Sequence, residues 1–311
     1  MSDYQTSVAN LLALAKNEQQ EDNDDQALTY LEQAVELAGD VTILRDYLQE
    51  CLENQQLDFV RQLLLHTEVE DLFLQQNQWL ALWQLLSQSG LYLSLDQSFG
   101  RAQRSHVSLS PAMRQFKKEW QAKLAHQPVA EAKLSALAGR FARDSQNESA
   151  ISSALAEAMC LTPSAFVKLV QIVLFNPTLS PFIRVRLLDN LRQLSDNHHL
   201  TMLWDDEPRK IETRALPVFG AAGFKKTIMT ELNEQQNQGN MDLAELNFIQ
   251  SRLTTYLLLT YPFTDTILQP LASWRHFIFS CAIPQSASDQ VKKQMQIWQK
   301  REETLVNNLG Q

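Results

Sequence analysis

EDNDDQALTYLEQAVELAGD, residues 21–40, joins an acidic opening to a helix spaced by alanine and leucine. It is either one surface helix or half of a repeating unit, and the choice decides the fold. Shifted by 33 positions, Ala27, Leu31 and Ala34 fall on Val60, Leu64 and Thr67; shifted by a further 35 they fall on Leu95, Phe99 and Ala102. The preceding helix aligns under the same shifts. Leu11, Leu14, Ala15 and Glu18 become Leu44, Tyr47, Leu48 and Cys51, then Trp79, Leu82, Trp83 and Leu86. One pair of shifts that aligns two helices at once implies a repeated helical hairpin. Small residues at Ala15, Ala27 and Ala34 let antiparallel helices approach closely, and Leu11, Leu14 and Leu31 fill the gaps between successive pairs. A lone hairpin cannot bury its apolar face, so neighbours must stack.

Over residues 7–106 this pattern resembles the tetratricopeptide repeat, a unit of about 34 residues. Leu11 stands where that family usually has Trp, Glu18 where it has Tyr, and Gly39 where it has Pro. The whole chain resembles cytoplasmic bacterial proteins that join such units to a further helical C-terminal region. The resemblance implies a mainly α fold of stacked antiparallel hairpins, with the first helices of successive units lining a groove. That groove would carry Leu12, Lys16, Gln19 and Gln20, then Arg45, Gln49, Leu52 and Glu53, then Leu80, Gln84 and Gln88, with Asn77 at its rim. Amide side chains donate and accept together, which suits the backbone of an extended peptide. The Lys/Asn clamp that some family members use for a C-terminal carboxylate is missing. An irregular helical bundle without true repeats is the alternative.

Beyond residue 106 the helical pattern continues. Ser110–Pro111, Thr162–Pro163 and Ser180–Pro181 each read as a cap followed by a first helical residue. Helices are expected to about Leu124, then over 129–143 and 147–160 and after Pro163 and Pro181. The last two, about 18 residues apart, suggest a looser stacked hairpin of the HEAT kind. At 200–204 the period changes to an alternation, with 209–216 as partner strand and DDEP (205–208) as the turn between them. Helices resume over 219–236, 241–260, 264–281 and 286–308. The sequence thus divides into 1–106 (repeats), 107–198 (continuing helices) and 199–311 (hairpin and C-terminal helices). In the last helix Val291, Met295, Trp298, Leu305 and Leu309 form a stripe interrupted by Glu302, which should dock on the chain's own C-terminal region and favour a monomer.

Charge is uneven. Residues 1–72 hold three Lys/Arg against sixteen Asp/Glu, a balance of −13, so the remainder carries +4 of the total of −9. The positive part concentrates in residues 101–143, including Arg101, Arg104, Arg114, Lys117, Lys118 and Lys123, with Phe116 and Trp120 interleaved. Such a face could grip RNA phosphates or an acidic protein segment, or be a solvated surface. Net negative charge disfavours bulk nucleic-acid binding. Three scattered cysteines without a CxxC pair read as free thiols in a reducing compartment, hence the cytoplasm. The N-terminus has no basic segment before its short apolar run, and no apolar stretch approaches the roughly 18 residues of a membrane span.

Catalytic signatures do not appear. GAAGFKKT (220–227) has Lys225 where a phosphate loop needs glycine before its lysine. His198 and His199 lie near Asp205, Asp206 and Glu207 in sequence but lack helical ligand spacing. No cofactor or metal is implied. The chain reads as a non-enzymatic scaffold for an unidentified protein or peptide, with an RNA-associated or regulatory factor as the alternative.

Overall fold

A computed structural model describes residues 3–21, 23–125, 131–143, 147–177, 179–205, 207–239 and 241–309. Among them the fold is mainly α, with one two-stranded antiparallel sheet. No helix among these residues is long and apolar enough to cross a membrane. The chain forms two compact units. One comprises Met1–Lys133, Ser153–Phe166 and Leu194–Asp196; the other comprises Leu134–Ser152, Val167–Gln193 and Asn197–Gln311.

The first unit begins with α1 (Asp3–Gln20) and α2 (Asp24–Ala38), then α3 (Thr42–Glu53) and α4 (Leu57–Leu65). Ala15, Ala27 and Ala34 are fully buried, as close packing of α1 on α2 requires. Their aligned partners Leu48, Val60, Trp83, Leu95 and Ala102 are also buried. Gly39 ends α2 in the left-handed region (φ 66°), where a Cβ would be strained, and its N–H returns to Val35 O at 2.7 Å. The following turn is held from a distance, because the Gln76 side chain accepts from Val41 N at 2.8 Å and donates to Gly39 O at 3.3 Å.

In this part of the chain two details differ from the sequence reading. Leu14, expected between helix pairs, is 41% exposed. Thr67, expected at a close contact equivalent to Ala34 and Ala102, is exposed and starts an unanticipated helix, α5 (Thr67–Gln75). His66 breaks the chain there with extended backbone, Glu68 and Glu70 favour the new helix N-terminus, and Val69 and Phe73 bury its inner face. Three helices, α3, α4 and α5, therefore stand where a two-helix hairpin was expected. The third pair, α6 (Trp79–Gln88) and α7 (Tyr92–Arg104), follows, and α8 (Pro111–Ala125) packs on α6. Trp83 anchors this end. Its ring meets Phe99 edge-on at 4.6 Å, and its Nε1 donates to Ser98 Oγ at 3.0 Å.

The later helices are α9 (Glu131–Arg143), α10 (Glu148–Met159), α11 (Pro163–Leu174) and α12 (Pro181–Arg192). Side chains of Ser110 and Thr162 cap α8 and α11, accepting from Met113 N at 3.2 Å and Ala165 N at 3.3 Å. Ser180 departs from this reading: Pro181 starts α12, but the Ser180 side chain makes no capping bond.

In the second unit β1 (His199–Trp204) pairs antiparallel with β2 (Glu207–Glu212), and Leu200, Met202 and Trp204 face inward. The expected turn DDEP is shorter, since Glu207 and Pro208 already belong to β2; a two-stranded ribbon has an edge that tolerates proline. The expected end of that strand, Thr213–Ala215, is a 3₁₀ turn. Next come α13 (Gly223–Asn237) and α14 (Leu243–Thr260), the latter opened by a capping box between Asp242 and Glu245. The single helix expected over 264–281 is broken into α15 (Thr264–Ile267) and α16 (Leu271–Ser280), because Pro270 has no N–H to continue the ladder. α17 (Asp289–Leu309) packs on α14 with Met295 and Trp298 buried; the Leu309 side chain lies outside the described residues.

Among the described residues, Arg184 on α12 is held without a carboxylate. Its Nη2 donates to Leu258 O and Leu259 O at 3.1 and 2.8 Å, at the C-terminal end of α14, and its guanidinium stacks 4.4 Å from the Trp204 ring. Burial, and then the nearby Arg301, push its pKa down to about 9. The negative end of α14 and the aromatic face take the place of a counter-ion.

Candidate functional site

α3 presents Arg45, Gln49, Leu52 and Glu53 along one face, because i, i+4, i+7 and i+8 fall together on a helix. α3 packs beside α6, whose Gln84 and Gln88 are both exposed and one turn apart. Between them lies an open depression of about 440 Å³, lined by Gln49, Leu52, Glu53, Gln55, Leu57 and Gln88. The expected groove residues Gln49 and Gln88 thus come together. Gln55 and Leu57 were missed by the sequence reading. Gln55 lies on the α3–α4 connection, where its left-handed backbone (φ 62°) turns the chain back across the end of α3, and Leu57 is the first residue of α4. The polar run ENQQ (53–56) was the available turn signal, but its φ is set by the fold.

The other candidates are placed differently. Lys16 pairs with Glu50 at 3.0 Å, and Arg45 gives its Nη2 to Asp46 at 2.7 Å. Both cations are therefore engaged on the surface. The Gln19 amide is used internally: its Oε1 accepts from Tyr47 Oη at 2.7 Å, and its Nε2 lies 3.9 Å from Cys51 Sγ. Burial pushes the Cys51 thiol up to about 11, so it is an inert, protonated core group. Asn77 sits in the α5–α6 turn with φ 57°, donating its backbone N–H to Leu74 O at 3.0 Å, and does not line the depression.

The basic stretch is partly spent on structure. Arg101 bridges Glu70 at 3.2 Å and Asp71 at 2.8 Å, tying α7 to α5. Arg114 donates to Leu109 O at 2.6 Å, and Lys117 lies 5.1 Å over the Phe99 ring. Arg104 also has an interaction within the chain. Lys118 and Lys123 are exposed on α8. Phe116 stacks on Trp83 and Trp120 meets Phe99 edge-on, so both rings belong to the core.

The two remaining sequence motifs resolve as structure. Phe224 N, at the start of α13, donates to the Asp265 carboxylate at 3.3 Å, so a side chain of the protein occupies that helix N-terminus. His199 pairs with Glu212 at one end of the hairpin ladder, while Asp205 lies in the turn at the other. His199 is separated from Asp205 and Glu207, close to it in sequence, by the length of a strand, and Asp206 lies outside the described residues.

Comparison with protein-family models, curated proteins and solved structures finds no match for this chain.

Proposed function

We propose that this protein is a non-enzymatic interaction scaffold, built on tetratricopeptide-like hairpins, that holds an extended peptide or protein segment between α3 and α6. The observation that carries this reading is the open depression where Gln49, Gln55 and Gln88 surround Leu52 and Leu57. Amides supply donors and acceptors to a ligand backbone, while the two leucines offer apolar contact for alternate side chains. The site works by association, with the chain as a monomer and no cofactor. Cytoplasmic residence is proposed on the three free cysteines. The RNA-binding alternative draws less support, because Arg101, Arg114 and Lys117 serve internal contacts.

Selection from a random peptide display library against the full chain tests this. Recovered peptides should bind the wild type and lose at least about tenfold in affinity to Gln88→Trp, which fills the depression, about 1.4 kcal/mol. Peptides that bind Gln88→Trp undiminished would refute the site.

A further inference from the structure

Charge decides which segments this groove can hold. Among the described residues, the depression has one ionisable lining residue, Glu53, and no Lys or Arg. Among the described residues, the Glu53 carboxylate is in no ion pair and accepts a hydrogen bond from the Gln49 amide at 3.4 Å. The three cations of residues 1–72 are each taken by an acid other than Glu53: Lys16 by Glu50, Arg45 by Asp46 and Arg61 by Asp58. Arg101, reaching in from α7, is taken by Glu70 and Asp71. The surplus of thirteen negative charges over residues 1–72, three Lys/Arg against sixteen Asp/Glu, therefore has no cation of its own segment left to answer it.

From this charge pattern we infer that the partner segment is basic: an extended stretch in which a Lys or Arg meets Glu53 while a neighbouring apolar side chain rests on Leu52 and Leu57. This rests on the groove assignment proposed above and specifies its ligand. The acidic field attracts cationic segments and repels anionic ones before contact, and Glu53 then fixes register as a single charge at the groove edge. Three neutral amides around it pair with backbone and do not discriminate charge.

Fluorescence anisotropy with three labelled twelve-residue peptides tests the inference. Each alternates leucine with one polar residue: lysine, glutamine or glutamate. The lysine peptide should bind the full chain at least about tenfold more tightly than the glutamate peptide, and the difference should shrink as salt is raised. Glu53→Gln keeps the side-chain shape; it should weaken the lysine peptide about fivefold and leave the glutamine peptide unchanged. Glu303→Gln, an exposed acid in the other unit, should change neither, which separates a local anchor from net charge. Equal binding of the three peptides, all lost in Gln88→Trp, would overturn the basic specificity and keep the groove. Binding of the lysine peptide that ignores both Glu53→Gln and Gln88→Trp would overturn the inference and the groove together, as would no binding by any peptide. Self-association of the free protein abolished by Glu53→Gln would overturn the inference in favour of a second copy as occupant.

Discussion

Arg252 on α14 gives its Nε to both carboxylate oxygens of Glu302 on α17, at 3.1 and 3.3 Å, with only 5% and 15% of the two side chains exposed. Tyr256 Oη adds a third bond to the same carboxylate, at 2.7 Å. Glu302 is the residue that interrupts the apolar stripe of α17. The interruption is an ion pair inside the helix–helix seam. Arg252→Met leaves Glu302 poorly solvated and uncompensated, so urea denaturation should show a loss of about 3–5 kcal/mol. The Arg252→Met, Glu302→Leu double variant should cost less than the sum of the two single changes. Additive effects would mean that the two groups do not act as a pair.

Ala27 has no exposed surface at the α1–α2 contact. Ala27→Leu should overpack it and lower stability by about 1–3 kcal/mol, read as a lower urea midpoint. An unchanged midpoint would mean that the helices do not approach closely there.

Asp96 is buried, and its carboxylate accepts from Ser195 N at 2.9 Å and Ser195 Oγ at 2.7 Å. Burial raises its pKa above the ordinary carboxylate value, against the opposing effect of those bonds. The native state then holds this proton more tightly than the unfolded chain. Its contribution to stability therefore falls as pH rises from the ordinary carboxylate value through the raised native one. Asp96→Ala leaves the Ser195 N–H unpaired and should cost about 1–3 kcal/mol. The gap between wild type and variant should be widest in acid and narrow toward neutral pH. A gap that widens with rising pH would reverse the assigned shift.

Lys16 and Arg45 sit in exposed ion pairs. Replacing both with alanine should change stability by no more than about 1 kcal/mol in chemical denaturation, with helicity by circular dichroism retained. A larger loss would show that the pairs hold α1 and α3 in place.

The parts of the fold written in local side-chain pattern were legible in sequence. Ala15, Ala27 and Ala34 announce close helix packing by size alone, and the proline-started helices by one residue each. α5 was not legible, because the repeat spacing assigned Thr67 to the preceding helix and only tertiary burial of Val69 and Phe73 separates the two. The break at Pro270 was visible as a proline but was overridden by the apolar pattern on both sides. In the site, helical spacing brought Gln49 and Gln88 into the same depression, whereas Gln19 was indistinguishable from them until Tyr47 was seen to hold its amide. Whether a surface cation is free, as with Lys16, Arg45 and Arg101, depends on neighbours distant or adjacent in sequence whose geometry no pattern prints.

A backbone amide NMR titration of the full chain with a display-selected peptide tests the central claim most directly. Shift changes should concentrate at Gln49–Leu57 and Gln84–Gln88, on the two walls of the depression. Changes confined to Arg114–Lys123 on α8, or to the second unit, would contradict the groove assignment.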